Sequence, residues 1–354
     1  MFKNNNEYVV FAILARIHIN IVRKQYPNKY FSEGVMKLMK WKILIVTLCL
    51  SFPIILQAQD QPGRVKPDLL KTVMKIELPP DEKGFRSTGT GFLVSKEITI
   101  NDKVIRKTFL VTNKHILGDW NASDGDIIKY NDGFYVYFYR TKVISGLFYS
   151  PLWVGLKDKE GKIKQKVKLH PDPKVDIGII YLYEELSPSN NIDLASFDVS
   201  YLLPFNQITA WSTGLGDQVF AMGYPLGITS LKSNYPIAKS GYIASMPGED
   251  FVANFPCVNR EGVIVKDTQI KGKLLVIDGL IVGGNSGGPV LLPSEIKSRL
   301  DPKTNQVQFT TEPVRNFVIG IVSSTLGPSG VNIAFSSDYI LEIIDLFLSE
   351  NYTK

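Results

Sequence analysis

From about residue 60 onward, short apolar runs alternate with clusters of Gly, Pro, Asn, Asp and Ser. The runs include "TGTGFLVS" (88–95), "KTFLVTN" (107–113), "GFYVYFYR" (133–140), "IGIIYLY" (177–183), "DQVFAMGYP" (217–225), "KLLVIDG" (273–279), "GPVLL" (288–292) and "NFVIGIVSS" (316–324). They are rich in Val, Ile, Phe and Tyr, which suit a pleated, half-buried surface. The turn clusters between them, with no regular strand–helix alternation, predict an all-β antiparallel sandwich or barrel. One segment departs from this rhythm. "SSDYILEIIDLFLSE" (336–350) spaces its apolar residues for a helix after Ser336 and Ser337, which can cap the first turn. It predicts a C-terminal helix on the second sheet. "NNIDLASFDVSYLLPFNQ" (190–207) reads as the connection between two halves of similar size, and the polar stretches 119–132, 155–172, 246–272 and 294–315 as surface loops. No solenoid repeat or low-complexity tract is present.

A chain of 354 residues that is 44% hydrophobic has ample material for one or two packed domains. Its N-terminus changes the picture. "WKILIVTLCLSFPIILQAQ" (41–59) is an apolar run of signal-peptide length, preceded by Lys37, Lys40 and Lys42 and ending near the small Ala58. Residues 36–58 are expected to be a signal peptide beginning at Met36 or Met39. Residues 1–35 are then an extension from an upstream start. A retained membrane anchor is the alternative, and a lipoprotein is disfavoured by the bulky Leu48 before Cys49. Cleavage near Ala58 implies an exported, periplasmic or secreted protein. The only other cysteine is Cys257, so the mature chain would fold without an internal disulfide.

The leader also accounts for the basic balance. Of 40 Lys+Arg and 34 Asp+Glu, residues 1–58 hold eight and two, leaving 32 of each sign in the remainder. The basic pI therefore gives no support to nucleic-acid binding. No membrane partner is expected beyond an uncleaved leader, and no metal or cofactor is called for.

The stretch "IVGGNSGGPV" (281–290) sets one serine among four glycines. Glycine costs backbone entropy, so such a cluster signals a backbone conformation or a close approach that side chains would forbid. A serine nucleophile needs a general base oriented by a third group. The chain offers His18, His115 and His170. His18 lies in the extension, and His170 in polar "VKLHPDPK" reads as a solvated loop residue. His115 ends the strand "FLVTNKHIL". The segment also fits the G-x-S-x-G elbow of α/β-hydrolases, but there the histidine follows the serine, and none follows Ser286. The order Asp…His…Ser would need Asp81 or Asp102, both in loop-like surroundings. The remaining order, His…Asp…Ser, requires an aspartate beside an apolar strand, and Asp176 in "PKVDIGIIYLY" supplies it.

At this point the sequence resembles a trypsin-like serine peptidase of the chymotrypsin fold, closest to bacterial Deg/HtrA-type enzymes. The resemblance is carried by "TGTGFLVS", "LVTNKHI", "DIGII", "MGYPLG", "KSGYIAS", "GGNSGGPV", "GIVSS" and "NIAFSSDYI", over most of residues 86–342. No C-terminal PDZ domain of that pattern is expected here, which puts processive or chaperone-like activity in doubt. The resemblance implies two six-stranded antiparallel β-barrels, residues 60–200 with His115 and Asp176 and residues 201–335 with Ser286, then a helix over 336–350. His115, Asp176 and Ser286 would be catalytic, with the backbone N–H groups of Gly284 and Ser286 as the oxyanion hole. Ser323, Ser324 and Thr325 would pair with a polypeptide substrate. Leu280 would lie near the base of the specificity pocket and Gly330 would open its wall, implying a lean towards apolar P1 residues. Zymogen relatives pair a freed N-terminus with an aspartate before the nucleophile. Asn285 stands there, so signal-peptide removal is the only processing expected. A silent peptide-binding module of the same fold and a serine esterase are the alternatives.

Overall fold

The computed structural model describes residues 65–352 apart from 121–126, 184–190, 194, 212, 248, 259–263, 295–297, 301–305, 310–315 and 326–329. The leader and the upstream extension lie outside the described residues. Among the described residues no helix is long and apolar enough to cross a membrane.

In chain order the first half supplies β1 (Val73–Glu77), β2 (Thr88–Ile100), β3 (Lys103–Thr112), β4 (Gly118–Trp120), β5 (Ile127–Tyr130), β6 (Gly133–Ile144), β7 (Leu147–Gly155), β8 (Val167–Leu169), β9 (Gly178–Tyr181) and β10 (Phe197–Asp198). The second half supplies β11 (Gln218–Gly223), β12 (Ile237–Ile243), β13 (Asp250–Val258), β14 (Ile264–Asp278), β15 (Pro289–Leu291), β16 (Ser298–Leu300), β17 (Val307–Phe309), β18 (Val318–Thr325) and β19 (Val331–Ser336). The helices are α1 (Lys114–Leu117), α2 (Phe205–Ile208) and α3 (Asp338–Tyr352).

Strands β12-β11-β15-β18-β19-β14 form a ring that the β12–β14 pairing closes, with β13 extending from β14. This is a six-stranded barrel with Val219, Leu275, Ile277, Val290 and Ile319 inside. The first sheet runs β7-β6-β1-β2-β3-β9-β8 and curls around Met74, Leu93, Leu110, Phe134 and Ile180 without a closing pair among the described residues. The architecture is the chymotrypsin fold. A third cluster joins the two sheets. Phe92, Val94, Phe109 and Val111 alternate with the inward-facing Leu93 and Leu110 and pack with Met222, Tyr224, Leu291 and Ile321. Both faces of β2 and β3 are buried at this level, so their sequence reads as a continuous apolar run.

Helix α3 begins close to where its serines predict. The Ser336 hydroxyl accepts from Asp338 N at 3.2 Å, while the Ser337 carbonyl accepts from the N–H groups of Ile340 and Leu341, each at 3.1 Å. The helix packs on both sheets. Phe347 meets Phe109 and Tyr181 of the first sheet, and Tyr339 meets Phe335 of the second. The polar stretch 246–272 is also more ordered than its composition suggests, because β13 and β14 pair over most of it as a long antiparallel hairpin.

His170 corrects the expectation of a solvated loop residue. It is buried, its Nδ1 accepts from Asp172 N at 3.1 Å, its Nε2 lies 3.2 Å from Glu342 of α3, and its ring stands edge-on to Tyr339. Burial, only partly opposed by Glu342, holds its pKa below the ordinary histidine value. The unfolded chain therefore protonates first, and stability falls as the pH drops through the usual histidine range. His170→Ala is expected to cost about 2 kcal/mol at neutral pH and to flatten that acid slope. Urea unfolding at several pH values checks both.

Candidate active site

Strand β3 ends at Thr112, and the one-turn helix α1 follows, presenting His115. Asp176 lies two residues before β9, the next strand across the sheet, and is fully buried. The two segments are tied twice through backbone. Asn113 Nδ2 donates to the Asp176 carbonyl at 2.7 Å, and His115 N donates to Asp176 Oδ1 at 3.1 Å. His115 Nδ1 then meets Asp176 Oδ2 at 2.6 Å. A carboxylate only accepts, so Nδ1 carries the proton and Nε2 is left with its lone pair. Burial pushes the His115 pKa down, but the Asp176 charge and hydrogen bond outweigh it and the net shift is upward.

Ser286 comes from the second barrel, in the turn before β15. The glycines around it are required by backbone contacts. Gly284 and Gly287 have φ of 96° and 84°, where L side chains are strained. A Cβ on Gly287 would fall on the Thr90 carbonyl, and one on Gly288 on the Met222 carbonyl. The first sheet grips this turn through Thr90. Its N–H donates to the Ser286 carbonyl at 2.8 Å, and its hydroxyl donates to the Gly284 carbonyl at 2.6 Å. Among the described residues, neither Gly284 N–H nor Ser286 N–H donates to another group of the protein. The two donors expected to form an oxyanion hole are thus without an internal acceptor.

The remaining candidate residues fall into three groups. Ser323 is buried, and its hydroxyl donates to Asp176 Oδ2 at 2.7 Å, while its carbonyl accepts from Ser286 Oγ at 3.2 Å. It therefore touches both Asp176 and Ser286, a contact its expected strand-pairing position did not foretell. Ser324 follows a register shift in the β18–β19 pairing, and the Thr325 backbone lies opposite Asn332. Leu280 is 67% exposed beside Gly279, whose N–H donates to the Gly330 carbonyl at 2.9 Å. Asn332 braces this corner by donating to the carbonyls of Gly279 and Gly330 at 2.6 and 2.9 Å. Gly330 itself has φ of 77°, so its glycine is dictated by backbone. Thr90, Asn113 and Asn332 were not read from the sequence. The one available signal was the place of Thr90 between the two glycines of "TGTGF".

A buried carboxylate bound to a histidine, and joined through Ser323 to a glycine-framed serine between two β-sheets, is the arrangement that the serine-peptidase resemblance implies. The sequence pattern of the trypsin-like peptidase domain matches residues 89–295, more than half of the chain, and the chain belongs to that family. It is a serine-protease hydrolase. Among solved structures it is similar to the active form of the Rv3671c protease of M. tuberculosis, at 16% identity and a TM-score of 0.40 over 81% of this chain and 87% of that one. It is similar also to the MamO protease domain of Magnetospirillum magneticum, at 13% identity and a TM-score of 0.40 over 78% and 97%. No curated protein matches the chain.

Proposed function

We propose that the protein is an exported serine endopeptidase using Ser286, His115 and Asp176, with an acyl-enzyme intermediate. The observation that carries this reading is the 2.6 Å contact between His115 Nδ1 and the buried Asp176 carboxylate. It sets the imidazole with Nε2 as the free base. The reading requires the Ser286 hydroxyl to turn from the Ser323 carbonyl towards Nε2. Oγ then attacks the peptide carbonyl while Nε2 takes its proton, and the same proton goes to the departing amine. The negative charge on the tetrahedral oxygen is held by the N–H groups of Gly284 and Ser286, each worth about 3 kcal/mol at the transition state. Water repeats the sequence on the acyl-enzyme. Leu280 and Gly330 would shape an uncharged P1 pocket, and the apolar leader supports export with cleavage near Ala58.

The Ser286 hydroxyl points to Ser323 in this structure, which favours, as a second reading, a module that binds peptides without cutting them. One experiment separates the two. The endopeptidase is expected to react with a fluorophosphonate at Ser286 and to cleave casein; an unlabelled, folded protein that binds peptides would leave only the second reading. The pH profile is a further check. His115 must be neutral to act as base, and its pKa is raised. Labelling should therefore decline as the pH falls, with a midpoint above the ordinary value of about 6.5.

A further inference from the structure

Two long segments of the chain carry no carboxylate. Residues 133–157 hold Arg140, Lys142 and Lys157, residues 218–247 hold Lys232 and Lys239, and neither segment contains Asp or Glu. The chain after residue 58 carries 32 residues of each sign, so the imbalance is one of position and not of composition. The two segments meet in the fold. Phe148 N donates to the Lys232 carbonyl at 3.1 Å, the Tyr139 hydroxyl donates to the Asn234 carbonyl at 2.9 Å, and the rings of Tyr139 and Tyr235 lie 5.7 Å apart. The carboxylates that border this face are already paired: Asp193 with Lys71, Asp132 with Lys157, and Glu77 with Lys75 and Arg86. Lys142 and Lys232 are exposed and form no ion pair among the described residues.

What the face shows to water between these cations is apolar. The β6–β7 hairpin turns at Ser145 and Gly146, with φ of 53° and 78°, and every residue from Thr141 to Phe148 is exposed. Four of them are Val143, Ile144, Leu147 and Phe148, each between 37% and 49% exposed. On the neighbouring loop stand Leu226, Ile228 and Leu231, at 77%, 53% and 84%. None of the seven joins a core cluster. A tight turn with two positive φ values asks for residues such as Gly or Asn at its centre and gives no reason for apolar residues on both flanks. Seven exposed apolar side chains on two adjoining segments are a patch of the kind that marks an interaction site.

We propose that this face docks on a bilayer containing anionic lipid, with the β6–β7 tip entering the headgroup layer and Lys142 and Lys232 at its rim against the lipid phosphates. Two observations select a bilayer over a peptide or a second copy. The tip is convex, because eight consecutive exposed residues around a tight turn project from the sheet and leave no groove to receive a chain. Its chemistry is also layered as an interface is, apolar side chains for the acyl boundary and unpaired lysines for the negative headgroups, with no free carboxylate to be repelled. The proposal stands whether or not Ser286 cuts peptides. It gives the folded part of the chain a membrane contact of its own, apart from the leader. The same face borders the nucleophile turn, since Leu226 N donates to the Gly283 carbonyl at 2.8 Å, so docking would hold the candidate active site beside the bilayer.

The test places a nitroxide on the tip, at Leu147→Cys and separately at Val143→Cys, in the full chain with Cys49 and Cys257 changed to serine. Accessibility to oxygen, which dissolves in lipid, is compared with accessibility to a water-soluble nickel chelate. The readout is local to the tip, so a leader that also enters the vesicle does not mimic it. With vesicles of phosphatidylcholine and phosphatidylglycerol, the oxygen-to-nickel ratio at both labels is expected to rise several-fold over its value in solution. A label at Lys162→Cys, beyond the far end of β7, should not change. Lys142→Glu with Lys232→Glu should weaken entry of the tip at least about 25-fold, since each cation at such a surface is worth about fivefold in binding. Labels that stay as open to nickel as in solution, on protein whose circular dichroism shows it folded, would overturn the proposal, as would equal entry into vesicles of phosphatidylcholine alone. Immobilisation of the labels without vesicles, growing with protein concentration, would assign the face to a second copy and overturn it too. Immobilisation by an acidic, apolar peptide but not by vesicles would assign it to a peptide, with the same result.

Discussion

Ser286→Ala is expected to lower kcat for peptide hydrolysis by about 10⁶-fold, and His115→Ala by a similar factor, because the two act as one unit. The expected loss for Asp176→Asn is smaller, about 10⁴-fold, and has a different cause. Asparagine can present an N–H to His115 Nδ1, which favours the tautomer whose proton sits on Nε2 and removes the base. The buried position of Asp176 makes this variant a chemical test, because Asn has the same shape and keeps an oxygen for His115 N, while the Ser323 hydroxyl, which donates to the other oxygen, can turn to accept from the new N–H. Ser323→Ala should fall between these and wild type, since it removes one donor to the carboxylate and leaves His115 bound. Turnover near wild type in any of the three triad variants, with far-UV circular dichroism showing an intact fold, would take that residue out of the mechanism.

The next largest effect is expected at Gly284. Alanine there must accept φ of 96° and place its Cβ on the Tyr224 carbonyl. The turn has no room to yield towards Thr90, which already holds the Gly284 carbonyl. The peptide must therefore rotate and carry its N–H out of line. Loss of one oxyanion donor predicts a fall of about 10²–10³ in kcat with little change in KM. The barrel core does not involve this residue, so the melting temperature should move far less than the rate. Steady-state kinetics beside a thermal melt separates the two quantities. A variant with unimpaired kcat would mean that the tetrahedral oxygen is held elsewhere.

Gly284→Ala should spare KM and depress kcat, because the oxyanion forms only on the way to the transition state. His170, whose side chain is held by Glu342 and Tyr339 and not by Asp176, should do the reverse and alter stability far more than the rate.

Much of this was legible in the chain because the information is local. Periodicity in "TGTGFLVS" and "KTFLVTN" marks strands by the same side-chain alternation that buries Leu93 and Leu110 on one face and Phe92 and Phe109 on the other. The glycines of "IVGGNSGGPV" mark a strained turn because positive φ is a property of single residues. The chain order of His115, Asp176 and Ser286 speaks against the α/β-hydrolase and subtilisin arrangements without any coordinates. What the tertiary structure alone decided are contacts between residues distant in sequence. Thr90 reaches a turn 194 residues away, Ser323 reaches Asp176 across 147, and His170 reaches Glu342 across 172. None of the three has a local signature, because a threonine, a serine and a histidine in polar surroundings look alike whether solvated or buried. Their surroundings are set by how the two sheets and α3 pack, and packing is a property of the whole chain.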